Sequence, residues 1–201
     1  MKKSIITAFI SICLISVLLL PSLTTQAVSA ADNYPFAISD SEVSDALDYL
    51  RAQQGPNGDI GGFANSAWVV TAIAAAGEDP ADWKQGVNPS IVDYLSTNAA
   101  TATSATDYAR MILAIVAADE DPTSFGGMDF VALLNAEYDN TQIGDDTLVN
   151  DDFWGIMGLI AAGTSPSSPV ITDSIDFIKQ NQNADGGWSW SAGEASDVDD
   201  T

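Results

Sequence analysis

The sequence predicts an all-α protein built as a two-layer array of helical hairpins, and two observations carry this prediction. The first is an internal repeat: the alanine-rich apolar segment 68–80 recurs as 110–122 and as 154–166, at offsets of 42 and 44 residues. The second is a different, half-polar kind of segment that alternates with these copies, as at 41–54. A fixed period of this length is typical of proteins that stack one helical unit on the next.

The two kinds of segment predict two kinds of helix. The apolar segments are hydrophobic on nearly every side and end in Gly or Asp with Pro shortly after, which indicates buried helices. The half-polar segments have apolar residues at helical spacing and charges on the other face, and no segment alternates like a strand. Predicted inner helices span 65–77, 105–118 and 152–163, predicted outer helices span 41–54, 90–98 and 170–182, and one more helix spans 127–137.

Polar residues at the start of each predicted inner helix suggest caps. The pairs are Asn65-Ser66, Thr106-Asp107 and Asp151-Asp152. Their short side chains accept hydrogen bonds from the free backbone N–H groups of a first helical turn. We therefore expect these pairs to begin the three inner helices.

Residues 1–30 predict a secretory signal peptide. Lys2 and Lys3 precede an apolar run at 5–20, and small residues lead up to Ala30. The run is shorter than the ~20 residues that a membrane-spanning helix needs. We expect cleavage after Ala30, a secreted or extracytoplasmic protein without a transmembrane segment after cleavage, and a repeat domain at 31–201.

The composition excludes several kinds of site. The chain has no histidine, and Cys13, its single cysteine, lies inside the apolar run, so the mature chain has neither imidazole nor thiol. Zinc–thiolate sites, cysteine nucleophiles and histidine general bases are thereby removed. The net charge of −22 repels nucleic acid and anionic membranes, so neither is an expected partner.

Metal and cofactor sites are not expected either. Asp145-Asp146 and Asp151-Asp152 bracket a loop that could gather Ca²⁺. The segment 139–150 lacks the acid at the fifth position and the Glu at the twelfth position of an EF-hand loop. We predict no metal site and no cofactor.

A spaced motif lies at the end of the last predicted helix. Its members are Phe177, Gln182, Asp185, Gly186, Gly187 and Trp188. A weaker copy starts at Tyr49-Leu50 and Gln54, with three extra residues before Gly61-Gly62-Phe63. A glutamine at a helix end can bond free carbonyls there, glycines allow a sharp reversal, and an indole can pack over the turn. We expect these residues to be structural.

This motif resembles the glutamine-tryptophan repeat of the squalene cyclase and protein prenyltransferase superfamily, the α/α toroids. The resemblance covers nearly all of the chain after residue 30 as a repeat pattern. It implies an α/α toroid, of which the helices form a partial barrel. Toroids of that superfamily close with roughly a dozen helices, and seven are predicted here, so we expect the domain to be incomplete at its C-terminus.

The last five residues, DVDDT at 197–201, resemble the protonation motif of class II terpene cyclases. The resemblance implies that Asp199 is a general acid and that Asp197 and Asp200 hold it in the protonated form. Crowded carboxylates cannot all ionise cheaply, so one of them keeps a proton. The alternative is that Asp199, Asp200 or Thr201 caps a fourth inner helix, where acids are favoured by the helix dipole.

Two functions stay open from the sequence. The favoured one is an exported, terpene cyclase/prenyltransferase-like repeat domain that binds a small hydrophobic ligand or an extracellular protein. Cobalamin carriers of the intrinsic-factor type, which share the exported toroid and need no catalytic residue, stay open as a form of this binding function. The alternative is a fragment of a class II polyprene cyclase, an enzyme of the isomerase type. Few aromatic residues on the inner helices and the short chain disfavour the cyclase. The zinc prenyltransferase and thioester branches of the superfamily need His and Cys residues, which the chain after residue 30 does not have.

Overall fold

A computed structural model describes residues 36–201, and seven α-helices organise this part of the chain. They are α1 (Ser41–Ala52), α2 (Phe63–Ala75), α3 (Ile91–Thr97), α4 (Ala105–Ala117), α5 (Phe130–Ala136), α6 (Val149–Ala161) and α7 (Pro169–Gln180). Short 3₁₀ turns occur at Pro80–Asp82 and Ala99–Thr101. No strand occurs between residues 36 and 201, so the prediction of an all-α protein is confirmed.

Each predicted helix is present, and its ends lie within three residues of the prediction. Local chemistry explains this agreement. Gly77 and Gly163 follow inner helices with φ of 79° and 88°, a left-handed conformation that glycine adopts without steric cost. At the start of α3, Ser90 Oγ accepts from Asp93 N at 3.0 Å and the Asp93 carboxylate accepts from Ser90 N at 2.9 Å, which forms a capping box.

The three inner helices lie side by side, with α4 packed against both α2 and α6. Fully buried residues lie on opposite sides of α4, among them Ile112 and Ala114. The approach of α4 to α6 is close at Gly158, where a Cβ would lie 3.1 Å from Ala109 Cα and 3.2 Å from the Ala109 carbonyl oxygen. A side chain at this position would force the two helices apart.

The remaining helices flank this row. Helix α3 packs against α2, α5 against α4, and α7 against α6. Helix α7 illustrates the half-polar pattern: Val170 and Ile171 are buried, while Asp176 and Lys179 are exposed and pair at 3.3 Å. An exposed pair of this kind contributes little to stability, so burial of the apolar face holds α7 in place.

The predicted caps of the inner helices are wrong. Helices α2, α4 and α6 begin at Phe63, Ala105 and Val149, so the polar pairs at 65–66, 106–107 and 151–152 lie inside the first turns. The side chain that caps α4 is that of Ser104, which accepts from Asp107 N at 3.2 Å. No side-chain cap precedes α2 or α6.

Two of these polar residues instead bond the loop that leads into their helix. Ser66 Oγ accepts from Ile60 N at 2.9 Å, and Asp152 Oδ1 accepts from Ile143 N at 2.9 Å. Both side chains are fully buried. Their role is to tie the incoming chain to the first turn of the helix, a contact between residues six and nine positions apart.

The predicted signal peptide at 1–30 and Cys13 lie outside the described residues. Within 36–201, none of the helices has the length and apolar character needed to cross a membrane.

Candidate functional site

The turn after α7 is held by its own backbone and by one side chain. Asn183 N donates to Gly187 O at 2.9 Å, and Gly186 N donates to Asn183 O at 2.9 Å. Gln182 Nε2 donates to Gly186 O at 2.7 Å, which is a carbonyl of the turn and not of the helix. Gly186 has φ of 91°, which favours glycine. The glutamine therefore closes the turn, and the predicted bond to helix carbonyls is wrong.

A second turn with the same bonds follows α1. Gln54 Nε2 donates to Gly58 O at 3.2 Å, Gly55 N donates to Asp59 O at 2.7 Å, and Gly58 has φ of 93°. Residues 54–60 therefore correspond to 182–188 one for one, and the predicted insertion of three residues is wrong. Ile60, 4% exposed, takes the place of Trp188.

The indole of Trp188 bonds the end of α7. Its Nε1 donates to Ile178 O at 2.8 Å, and its ring is half-buried. The bond satisfies one of the carbonyls that a helix leaves free at its C-terminus. Phe177 is half-buried one residue before Ile178. Asp185 accepts from Gly187 N at 3.1 Å and from Ser196 Oγ at 2.8 Å, and these bonds lower the pKa of Asp185.

The two motifs of the C-terminal region contact each other directly. Trp188 N donates to Thr201 Oγ1 at 2.9 Å, the Thr201 hydroxyl donates to Trp188 O at 3.1 Å, and Asp197 N donates to Trp188 O at 2.9 Å. A Cβ on Gly187 would lie 2.8 Å from Ser196 and from Thr201 Oγ1. The glycine thus lets the 197–201 segment approach the turn.

Within the acidic segment, the three carboxylates differ in their surroundings. Asp197 Oδ1 accepts from Asp199 N and from Asp200 N, each at 3.0 Å, so Asp197 caps a tight turn. Asp200 is half-buried, and burial raises the pKa of Asp200, with the neighbouring Asp197 adding to the effect. The side chain of Asp199 is exposed. The structure thus distinguishes a turn acceptor, a partly desolvated acid and a solvent-facing acid.

Asp199 and Asp200 lie at the rim of an open groove of about 470 Å³, which we call the α6 groove. Its walls come from α6, from the end of α7 and from the last three residues. The lining residues are Phe153, Trp154, Ile156, Met157, Ile178, Asp199, Asp200 and Thr201. The α6 groove therefore combines an apolar wall with a short acidic rim.

A separate acidic group is buried beneath the loop before α6. Asp151 accepts from Asp145 N at 3.1 Å, and Asp152 accepts from Ile143 N. Burial raises the pKa of Asp152 to about 6, while Ser174 and the Ile143 N–H act in the opposite direction. Because these carboxylates face backbone N–H groups, their role is structural. Within 36–201 no group of three or more acidic residues is arranged to hold a metal ion.

Sequence reasoning did not identify the apolar wall of the groove or the burial of Asp152. The repeat gives no signal for the wall, because Met157 stands where the equivalent positions carry Thr71 and Leu113, one polar and one apolar and both half-buried. No local signal distinguishes Asp152 from an exposed cap, because its burial depends on Ile143 and on Ser174 of α7. Comparisons with protein-family models, with curated proteins and with solved structures gave no match to this chain.

Proposed function

We propose that this chain is an exported helical-repeat domain of the α/α toroid type and that it works as a binding module through the α6 groove. The observation that carries the proposal is the apolar wall of that groove. In a chain with 28 acidic residues, four neighbouring groove positions on α6 carry Phe, Trp, Ile and Met. An exposed apolar wall with a polar rim is typical of binding sites.

The toroid arrangement is supported by the repeat in the helix contacts. Three inner helices lie in a row in chain order, α3 packs against α2 and α7 against α6, and α5 packs mainly against α4 and also contacts α6. The matching turns at Gln54 and Gln182 join an outer helix to the next inner segment in the same way. Repetition of one supersecondary unit, with neighbour contacts only, is the logic of such arrays.

The physical driving force for binding is burial of apolar surface. A ligand that covers roughly 200 Å² of apolar surface gains about 5 kcal/mol. The entropy lost on association offsets part of that gain, so we expect weak binding. The acidic rim disfavours anionic ligands, so we expect the groove to bind neutral or cationic apolar molecules.

The neutral dye N-phenyl-1-naphthylamine tests this function, because its fluorescence rises in an apolar site. We expect saturable binding by the chain and a loss of affinity of at least about tenfold in Met157→Glu, which places a charge on the groove wall. Val87→Glu is the matched control, since Val87 is 103% exposed and lies outside the groove. Absence of binding, or equal affinity in both variants, would contradict the proposed function.

A second candidate function is general-acid cyclisation of a polyprene. It is favoured by the position of Asp199 and Asp200 at the rim of a groove that also contains Phe153 and Trp154. A protonated carboxyl there would give its proton to an alkene carbon, and aromatic faces would stabilise the carbocation as it cyclises. The cyclised cation would then lose a proton to water, and water would return a proton to the carboxylate. The resemblance assigns this role to Asp199, whereas burial favours Asp200 as the acid that keeps its proton.

Incubation with squalene and mass spectrometry of the extract separates the two functions. We expect no cyclised product, because the groove is open to water, which would quench a carbocation. We also expect Asp199→Asn to change the free energy of unfolding by no more than about 0.5 kcal/mol, since its side chain is exposed. Product from the wild type that disappears in Asp199→Asn or in Asp200→Asn would replace binding by catalysis.

A further inference from the structure

Asp152 lies where the first turn of α6 meets α7, and its two carboxylate oxygens have different surroundings. Oδ1 accepts a hydrogen bond from Ile143 N at 2.9 Å. Oδ2 is buried and has no hydrogen-bond partner among the described residues. The hydroxyl of Ser174 on α7 lies beside this carboxylate, is also buried and has no partner of normal hydrogen-bond geometry in that part of the chain. The contact between α6 and α7 therefore contains a carboxylate with one unpaired oxygen.

The charged groups that act on Asp152 from α6 and from the loop before it are both negative. Asp151 is its neighbour on α6, and Asp139 lies on the loop. Burial is the main effect that raises the pKa of Asp152 to about 6, and the two carboxylates add to it. The Ser174 hydroxyl and Ile143 N act in the opposite direction but are outweighed. Ionisation of Asp152 in the packed state therefore costs free energy.

Helix α7 brings no positive charge to this carboxylate. Lys179, the single cation of α7, is exposed and pairs with Asp176 at 3.3 Å. Asp173 of α7 accepts a hydrogen bond from the Tyr138 hydroxyl, and this bond is the main effect that raises the pKa of Tyr138 to about 12. Tyr138 therefore stays neutral between about pH 4 and 8. The chain also has no histidine, so no imidazole titrates at this contact in that range.

Helix α7 is anchored by fewer buried side chains than the helix against which it packs. Three of its twelve residues are buried, namely Val170, Ile171 and Ser174, whereas six of the thirteen residues of α6 are buried. One of the three is polar, so two buried apolar side chains remain. Elements with few buried apolar contacts open more readily than the rest of a domain. Helix α7 can therefore open while the inner helices stay folded.

Movement of α7 relieves the buried charge better than movement of the loop before α6. If α7 moves away, Ser174 moves with it and water reaches the carboxylate, while Ile143 N keeps its bond to Oδ1. A hydrogen bond from an N–H group favours the ionised form of a carboxyl. If the loop moves instead, this bond is lost. The ionised state is therefore best accommodated with α7 open and the loop in place.

We infer that α7 is the moving part of a pH-sensitive switch, in which ionisation of Asp152 favours a state where α7 has moved away from the start of α6 while Ile143 stays bound. The packed state binds the Asp152 proton more tightly than the open state does. Below pH 3.8 both states hold the proton, and the packed state has its full advantage. That advantage decreases between pH 3.8 and about 6, where only the packed state holds the proton, and stays constant above this range.

Movement of α7 also affects the C-terminal turn. Trp188 Nε1 donates to Ile178 O of α7 at 2.8 Å, and the backbone of Trp188 bonds the Thr201 hydroxyl. Ile178 and Thr201 both line the α6 groove. We therefore expect the groove to bind its ligand more weakly as the pH rises. This consequence rests on the proposed binding function, whereas the switch itself does not.

Hydrogen–deuterium exchange of the whole chain, read by mass spectrometry on peptides from α7, tests the switch. Exchange rates at about pH 5 and about pH 7.5 are divided by the intrinsic rates of unstructured peptides, so that the ratio reports how often α7 opens. We expect α7 to open about tenfold more often at the higher pH, and more often than α4 at both. In Asp152→Asn the opening of α7 should change by less than about twofold between the two pH values, because an amide does not ionise.

Asp176→Asn is the matched control, since it removes an exposed carboxylate from the same helix and should keep the pH dependence of the wild type. Equal opening of α7 at the two pH values overturns the inference, and so does a pH dependence in Asp152→Asn like that of the wild type. Equal opening of α7 and α4 also overturns it, because only unfolding of the whole domain would then expose Asp152. The comparison of α7 with α4 needs no variant, so it decides the matter even if Asp152→Asn does not fold.

The naphthylamine dye separates the switch from the binding function. If the opening of α7 depends on pH and the dye binds at neither pH, the switch stands and the proposed binding function is wrong. If the dye binds and the opening of α7 does not depend on pH, the binding function stands and the switch is wrong.

Discussion

Replacement of Asp152 by asparagine should raise the free energy of unfolding by about 3 kcal/mol at about pH 8 and leave it nearly unchanged below about pH 4. Burial raises the pKa of Asp152 from 3.8 to about 6, and the carboxylates of Asp151 and Asp139 add to this shift. The folded state therefore binds a proton more tightly than the unfolded state does.

The sign of the pH dependence follows from this difference. Below pH 3.8 the side chain is protonated in both states and the full stability is present. Between pH 3.8 and about 6 only the folded state holds the proton, so the wild type loses stability as the pH rises, until the folded-state pKa is passed. Asparagine cannot ionise, its amide oxygen can accept from Ile143 N, and its amide nitrogen can donate to Ser174 Oγ, which lies beside the carboxylate.

Urea denaturation from pH 3.5 to 8 measures the effect as the difference between variant and wild type. That difference should grow through the window between pH 4 and 6 and then remain constant. Asp48→Asn, at an exposed position on α1, is the control and should stay within about 0.5 kcal/mol of wild type throughout. A variant that is less stable than wild type at about pH 8 would show that the ionised Asp152 has a favourable role.

A second large effect is expected from a matched pair of glycines. Gly58→Ala should lower the free energy of unfolding by about 4 kcal/mol, whereas Gly186→Ala should lower it by about 1.5 kcal/mol. The two residues occupy the same place in the two glutamine turns and have φ of 93° and 91°, so the backbone strain of an alanine is alike in both.

The surroundings of the two positions differ. A Cβ on Gly58 would overlap the carbonyl oxygen of Ser90 and lie 2.8 Å from that of Pro89, both of which are backbone atoms next to the start of α3. A Cβ on Gly186 would meet no atom within 4 Å. Chemical denaturation of both variants gives the comparison. If both substitutions lowered the free energy of unfolding equally, α3 would be able to move away from the turn without a large loss of stability.

The helices could be predicted from sequence because their signals are local. Helix α4 is apolar on nearly every side. Ser104 caps its start and Pro122 follows its end, so its bounds can be predicted from neighbouring residues. The caps could not be predicted in the same way. Ser66 and Asp152 have the chemistry of caps, but each is buried one turn inside its helix because a preceding loop passes over it.

The candidate site also combines features that have a local sequence signal with features that depend on distant contacts. The motif residues Gln182, Gly186 and Trp188 can be grouped from the sequence, since their spacing follows from the end of one helix, and all three lie in the turn after α7. The bond between Trp188 and Thr201 spans 13 residues and has no local signal. Likewise, the greater burial of Asp200 than of Asp199 depends on how the acidic turn lies across the end of the groove.

The sequence by itself determined the helical class, the alternation of two helix types and the absence of imidazole groups, because these depend on composition and on spacing within one or two helical turns. Only the tertiary structure decided that Asp152 is buried, that the two C-terminal motifs bond each other and that residues of α6 line one groove with Asp199 and Asp200. These properties depend on contacts between residues that are distant in the chain, such as Trp188 and Thr201, which are 13 residues apart. Burial raises the pKa of Asp152, and that burial arises only when the helices pack. The groove likewise forms only when α6, the end of α7 and the last residues come together.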